Sequence, residues 1–260
     1  MIGAVRAALA AVLATAWYGG RILWATARGK GWDPNIFDEG PRDWALMILR
    51  WTGTKVRVEN AGVIVPGRPQ VLVLNHVSWF DVLAVLGHVP DRCRFVAKKE
   101  LASVPVFGPA LKAAGHICIN RHDLPSAIRS MEVAREVLER DGPTMILFAE
   151  GTRSLTGELR PFKKGAFVLA IQTGAEVVPA AVLGTREIMR KGSLKVRTGR
   201  TITLRFGEAI PVGGLTLDNR DDLAHRTRSA VATLLAQGEP TAPGGASATD
   251  GEGPTGGNRS

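Results

Sequence analysis

The feature that most constrains this chain is a four-residue apolar run, Val71 to Leu74, that stops at Asn75-His76-Val77-Ser78-Trp79-Phe80-Asp81. A short run that is apolar at every position fits a strand buried on both faces, as in a parallel sheet. Its end delivers His76 into a loop, and Trp79 onward starts a helix with Asp81 in its first turn. A second buried-looking run, Thr144 to Phe148, ends at Glu150-Gly151-Thr152-Arg153-Ser154. Together the two segments suggest a base and an anion clamp.

Other short runs repeat the pattern. Lys55 to Glu59, Arg94 to Ala97, His116 to Asn120, Val177 to Leu183, Leu194 to Thr198 and Thr201 to Phe206 read as strands. Leu124 to Arg140, Gly165 to Thr173 and Thr216 to Ala236 read as helices, and the alternation predicts an α/β domain. Ile128, Met131, Val133, Ala134, Val137 and Leu138 keep helical spacing and are expected to face the core. Thr198-Gly199-Arg200-Thr201 reads as a hairpin turn joining the last two strands.

His76 and Asp81 make chemical sense as a pair. A neutral imidazole can take a proton from an alcohol when a partner fixes its tautomer and stabilises the imidazolium that forms. The same spacing also suits a capping box, with Ser78 as N-cap, Asp81 near the positive helix end and His76 an ordinary loop histidine. Both readings hold together, since a rigid cap would fix Asp81. His88, His116 and His225 lack a carboxylate at comparable spacing, and His122 beside Asp123 sits in a turn. Histidine, cysteine and carboxylate spacings of metal sites are missing, as are Gly-rich nucleotide loops and a Gly-x-Ser-x-Gly turn. A kinase, a dehydrogenase and a serine hydrolase are therefore disfavoured, and metal-free catalysis is expected.

A net charge of +9 over 260 residues favours an anionic partner. Nucleic acid and an anionic membrane are the usual candidates. No nucleic-acid module is present, and an apolar N-terminus points to membrane. Two cysteines in a chain of this length imply no disulfide framework.

Ala7 to Gly20 is uncharged but only 14 residues long, short of the roughly 20 that span a bilayer. Ala14-Thr15-Ala16 resembles a signal-peptide cleavage site. In a continuous helix, Arg6, Arg21 and Arg28 fall within an arc of about 60° and form one basic stripe. In Arg42 to Trp51, Arg42, Asp43 and Arg50 share about 100°, and apolar residues fill the rest. Two such helices, joined near Gly31 to Gly40, are expected to lie in the membrane interface as a hairpin; a tilted span with Arg21 snorkelling is the alternative. From about Gln237 the chain turns to Gly, Pro, Ala, Ser and Thr, the composition of a disordered tail. The expected division is thus 1–53 membrane anchor, 54–236 catalytic domain and 237–260 tail.

Asn75-His76-x-x-x-x-Asp81 and Glu150-Gly151-Thr152-Arg153 resemble the first and third signature blocks of the glycerolipid acyltransferases, most closely the 1-acyl-sn-glycerol-3-phosphate acyltransferases. Gly115-His116-Ile117-Cys118-Ile119-Asn120-Arg121 is similar to the second block and Val178-Pro179-Ala180 to the fourth. Ala97-Lys98-Lys99-Glu100-Leu101, Pro105 and Phe107-Gly108 match between blocks one and two, so the resemblance runs from about Val56 to Phe206. One departure is Ala149, where the family usually has proline; a modest loosening of the loop is expected.

The resemblance implies a single α/β domain with a mixed central sheet flanked by helices, like that of glycerol-3-phosphate acyltransferase, behind an N-terminal helical membrane anchor. It implies acyl transfer from acyl-CoA or acyl carrier protein to the free hydroxyl of a lysophospholipid, with His76 as base and Asp81 as its orienting partner. Lys98, Arg121, Glu150, Gly151, Thr152 and Arg153 would serve the acceptor, Arg153 by gripping two phosphate oxygens. No metal or cofactor is implied, the thioester being a substrate. The expected location is the cytoplasmic face of the cell inner or cytoplasmic membrane, held peripherally. A lyso-ornithine lipid or another lysolipid as acceptor stays open, as does a noncatalytic membrane-surface role.

Overall fold

The computed structural model describes residues 2–29 and 31–238. Residues 239–260 of the expected tail lie outside the described residues.

The chain opens with a long helix made of α1 (Ile2–Ala14), a widened π turn (Thr15–Gly19) and α2 (Gly20–Ala27). A short α3 (Pro34–Phe37) and α4 (Glu39–Trp51) lead into β1 (Lys55–Glu59) and β2 (Gln70–Leu74). Then follow α5 (Phe80–His88), β3 (Cys93–Lys98), α6 (Phe107–Ala113), β4 (Ile117–Ile119), α7 (Leu124–Asp141) and β5 (Thr144–Phe148). The last elements are α8 (Gly165–Thr173), β6 (Glu176–Leu183), α9 (Thr185–Ile188), β7 (Thr201–Phe206) and α10 (Arg220–Ala236).

The seven strands form one sheet in the order β1-β7-β6-β2-β5-β3-β4. Only β6 and β7 pair antiparallel, so the sheet is mixed, as the resemblance implied. Central β2 is buried at every position, which is why its sequence is apolar from Val71 to Leu74; Gln70, buried at its start, accepts from Val65 N and donates to Val63 O. One face of the sheet packs on α4 and α5 through Leu72, Leu74, Ile146, Val178 and Phe206. The opposite face packs on α7, α8 and α10 through Val71, Val73, Met145, Phe167 and Leu223.

Parallel pairing sends the carboxyl ends of β2, β5, β3 and β4 to one edge, with Leu74 beside Phe148 and Lys98 beside Ile119. Ligand sites of open α/β sheets form outside such strand ends. The segments after β2, β5, β3 and β4 carry His76, Glu150, Lys99 and Arg121.

Three local expectations change. Leu194 to Thr198 forms no strand, and Thr198 to Thr201 is no hairpin turn. β7 is flanked by β1 and β6, so its two edges are filled and the preceding segment has no strand to join. On α7, Ala134 and Leu138 are buried but Ile128 is 54% and Val133 48% exposed. The helix lies on the sheet by a narrower stripe than its apolar spacing suggests. On α4, Ala45, Ile48 and Leu49 are buried in the main core against α5. That part of the apolar face belongs to the domain interior, while Trp44, Leu46, Met47 and Trp51 stay partly exposed.

The first helix has an inverted polarity of size. Its small residues Ala7, Ala10, Ala14, Gly19 and Ala25 are buried on the protein side. Val5, Leu9, Val12, Leu13, Trp17 and Trp24 point outward, Val12 at 65% and Trp17 at 63% exposure. Arg6, Arg21 and Arg28 are all exposed, and the Arg28 guanidinium lies 4.0 Å from the Trp24 ring centre. Because the helix passes through Gly19 and Gly20 unbroken, Val5–Ala27 spans 23 residues and is long and apolar enough to cross a membrane. Gly19 permits close approach: a Cβ there would sit 2.8 Å from Val106 Cγ1.

The link from this helix to the sheet is fastened at Arg94 of β3. Its guanidinium donates to Asp38 Oδ1 at 2.6 Å and lies 5.0 Å from the Trp32 ring centre, while Trp32 Nε1 donates to Asp38 Oδ2. Both charged side chains are about 95% buried. Removing one partner of a buried pair strands the other charge, at a cost of about 3–5 kcal/mol. Asp38→Ala should therefore lower unfolding free energy by that amount in urea titration, while Arg42→Ala on an exposed pair should change it by less than about 1 kcal/mol.

Candidate active site

His76 leaves the sheet because Asn75 ends it. The Asn75 side-chain amide donates to Val182 O at 3.0 Å and accepts from Val182 N at 2.8 Å, so a side chain takes over the strand's pairing to β6. The backbone is then free to turn. The His76 N–H donates to Glu150 Oε1 at 2.7 Å and its carbonyl accepts from Ser154 N at 2.7 Å. The loop after β5 therefore grips the residue from both sides.

Asp81 is fully buried in the first turn of α5. Its Oδ2 accepts from Val77 N at 2.7 Å, Ser78 N at 2.8 Å and His76 Nδ1 at 2.7 Å. Its Oδ1 accepts from the Thr185 hydroxyl at 2.5 Å. A carboxylate accepts only, so this network places the imidazole proton on Nδ1 and leaves the Nε2 lone pair free. The expected capping box is only half formed: Ser78 N donates to Asp81 Oδ2 and Phe80 N to Ser78 Oγ at 3.3 Å, but Trp79, one residue later, is the N-cap of α5 and its side chain makes no capping bond. The ring of His76 stacks on Phe148, with centres 4.1 Å apart.

Nε2 belongs to a ring that lines a cavity of about 1220 Å³. Its lining includes the apolar cluster of Tyr18, Gly19, Trp44, Leu86, Phe107 and Ala110 and the cations Lys98, Arg121, Arg153, Arg160, Lys163 and Lys191. A space lined by both apolar and cationic groups suits an acyl chain together with an anionic head.

The Glu150 to Ser154 loop divides its tasks. Glu150 is buried, and its second oxygen accepts from Arg160 N at 3.1 Å. Both oxygens thus hold backbone, so Glu150 braces the loop while lining the cavity; burial raises its carboxyl above the usual range despite these bonds. Gly151 turns the chain at φ +75°, and its carbonyl accepts from Arg121. Thr152 is exposed and lines the cavity. The Arg153 guanidinium lies 5.2 Å from the Trp79 ring centre, and partial burial lowers its pKa below the usual guanidinium range. Its own carbonyl accepts from Lys191 Nζ at 2.7 Å. Lys98 is half exposed and paired with Glu100 at 3.1 Å, a geometry that leaves its ammonium free to exchange partners.

Thr185 and Lys191 have no sequence signal, because each meets the site from a distant loop. Asn75 lies inside the first block, yet only the structure shows what its amide does. Both cysteines are free, and burial raises the Cys93 and Cys118 thiols above their usual range.

A family model described as Acyltransferase matches residues 55–183. The human 1-acyl-sn-glycerol-3-phosphate acyltransferase alpha is 35% identical over 191 residues, covering 73% of this chain and 67% of that protein. The chain belongs to the acyltransferase family. A 1-acyl-sn-glycerol-3-phosphate acyltransferase of Cocos nucifera is 39% identical over 182 residues, covering 62% of this chain and 58% of that one. For a Chlamydomonas reinhardtii relative of the same description the figures are 35% over 171 residues, 65% and 49%. The chain thus spans between about half and two thirds of these relatives' lengths. Its fold is that of the crystal structure described as the 1-acyl-sn-glycerophosphate (LPA) acyltransferase PlsC from Thermotoga maritima, with TM-score 0.75 and 23% identity, covering 91% of this chain and 95% of that one.

His116, in the second block of this family member, is buried beside the cavity and accepts from Phe95 N at 3.0 Å through Nδ1. Burial, helped by the Arg94 charge, pushes its pKa down from 6.5 to about 3. The unfolded chain takes up this proton below pH 6.5 while the folded protein does not, so stability is full above 6.5 and falls as pH drops toward 3. His116→Gln keeps an acceptor for Phe95 without titrating. It should remove up to about 1.4 kcal/mol per pH unit of that slope, read from urea unfolding at several pH values.

Proposed function

We propose that this chain transfers a fatty acyl group from the thioester of acyl-CoA or acyl carrier protein to the free hydroxyl of 1-acyl-sn-glycerol-3-phosphate, making phosphatidic acid. The observation that carries this reading is a His76 held through Nδ1 by buried Asp81, on a cavity that also carries the Arg153 guanidinium. Nε2 takes the proton of the acceptor hydroxyl as its oxygen attacks the thioester carbonyl. Asp81 stabilises the imidazolium that forms, and its three other donors keep it in place. When the C–S bond breaks, the imidazolium returns its proton to the departing thiolate. The acyl group then sits on the acceptor oxygen, and His76 is neutral again. No covalent acyl-enzyme is needed, which agrees with two cysteines whose thiols are held protonated by burial.

Arg153 takes the acceptor's phosphate, its planar fork suiting two oxygens at once. Arg121 and Lys98 add positive charge to the cavity lining. Gly151 and Thr152 shape the loop, and Glu150 fixes it to His76. The relatives' names support lysophosphatidate as acceptor. The reading requires no metal or cofactor.

The outward face of the first helix favours work at a membrane surface, with Trp17 and Trp24 at the interface and Arg6, Arg21 and Arg28 among headgroups. Its alanine face lies on the protein, which favours a peripheral, monotopic seat on the cytoplasmic face. In this division residues 1–29 make the lipid contact, and α4 joins the catalytic body.

Acyl transfer from long-chain acyl-CoA to 1-acyl-glycerol-3-phosphate by the purified protein tests the reaction. His76→Ala should cost at least about a hundredfold in kcat, with its folding checked by circular dichroism. Arg153→Ala should raise KM for the acceptor about 30-fold and leave KM for the donor near wild type. Activity surviving in His76→Ala would remove the base from the mechanism.

A further inference from the structure

Loop residues 186–200 carry six cations, Arg186, Arg190, Lys191, Lys195, Arg197 and Arg200, against one carboxylate, Glu187. Among the described residues that carboxylate pairs only with Arg197, at 3.2 Å. Arg186 and Lys191 donate instead to backbone carbonyls of Leu155 and Arg153, and Arg190, Lys195 and Arg200 are exposed with no carboxylate partner among the described residues. In the middle of this charge stands Leu194, 86% exposed. Leu155, on the loop that Arg186 holds, is 69% exposed. Exposed leucines on segments rich in cations gain nothing in water, but both groups are satisfied where anionic headgroups meet hydrocarbon.

Hydrogen bonds through α4 tie this segment to the first helix. Gly199 N donates to Thr52 O at the end of α4. Along the same helix Trp44 Nε1 donates to Thr15 Oγ1 at 3.1 Å, in the π turn between α1 and α2. At its other end the loop reaches the site, where Lys191 braces the Arg153 carbonyl and Met189 O accepts from Ser78 Oγ at 2.7 Å.

We propose that loops 153–157 and 186–200 form a second contact with an anionic lipid surface, with Leu155 and Leu194 inserted and the flanking cations on the headgroups. This contact rests on the membrane-surface part of the reading above and not on acyl transfer itself. It would place Arg153 at headgroup depth, where an anionic lipid can enter the cavity without leaving the membrane. An acidic protein would satisfy the cations, but it leaves unexplained two leucines exposed at 69% and 86%.

The test uses the full chain with Cys118→Ser and Leu194→Cys, labelled with an environment-sensitive fluorophore; Cys93 is buried and does not compete. A matching label at Val12→Cys reports on the first helix. On vesicles of phosphatidylcholine mixed with phosphatidylglycerol, both labels should shift to the blue. Arg190→Gln with Lys195→Gln should weaken partition to those vesicles about 30-fold and change it little on pure phosphatidylcholine. If the label at 12 shifts and that at 194 stays as in water, the second contact is wrong and the first stands. A label at 194 that responds only to an acidic carrier protein gives this surface to a protein and overturns the proposal. Silence from both labels overturns the membrane reading together with it, and acyl transfer measured in detergent remains a separate question.

Discussion

The site depends on satisfying one buried carboxylate. Asp81 has no water to turn to, so its oxygens take two backbone amides, a threonine hydroxyl and an imidazole from four different residues. Each of those bonds also fixes the donor. The amides of Val77 and Ser78 shape the loop that leaves β2, Thr185 ties in the segment after β6, and His76 is left with one orientation and one tautomer. An exposed aspartate at the same spacing would give the imidazole a partner but no fixed direction, because solvent would compete for every bond. Burial is therefore what gives this imidazole a defined free nitrogen, the one that the proposed mechanism uses as base.

Glu150 extends the same logic to the second loop. It spans His76 N and Arg160 N with its two oxygens, so the two segments that leave β2 and β5 are one mechanical unit. Burial works against its charge and raises its pKa, while the two amides lower it. Position is bought here with electrostatic strain. The family resemblance implied that Glu150 serves the site or the acceptor; its place at a parallel strand end, next to the neighbouring strand's loop, makes it a brace.

What was legible in the sequence followed from local pattern. Unbroken apolar runs mark β2 and β5 because both faces of those strands are covered, and polar residues at their ends mark the site because parallel strands deliver them to one edge. Distance defeated the rest. Thr185 meets Asp81 across 104 positions and carries no local sign of it. Leu194 and Val196 alternate like a strand, yet whether a strand forms depends on a free sheet edge, and β7 has none. The face of α4 was equally ambiguous: an apolar stripe says that something apolar covers it, and only the packing of α5 says what.

The first helix shows how such ambiguity can be resolved once packing is known. A core helix puts its large side chains inward, because each buried leucine or tryptophan removes more apolar area from water than an alanine does. Here alanines and a glycine lie against the protein, and valines, leucines and tryptophans point away. In water that arrangement forfeits most of the helix's apolar burial. Covering the outer face with a second apolar phase would restore that burial, and Gly19 on the inner face has a use of its own: it lets the helix lie close to Val106 and lines the cavity. In the membrane seat proposed above, the face given to lipid and the chamber given to an acyl chain are opposite sides of one helix.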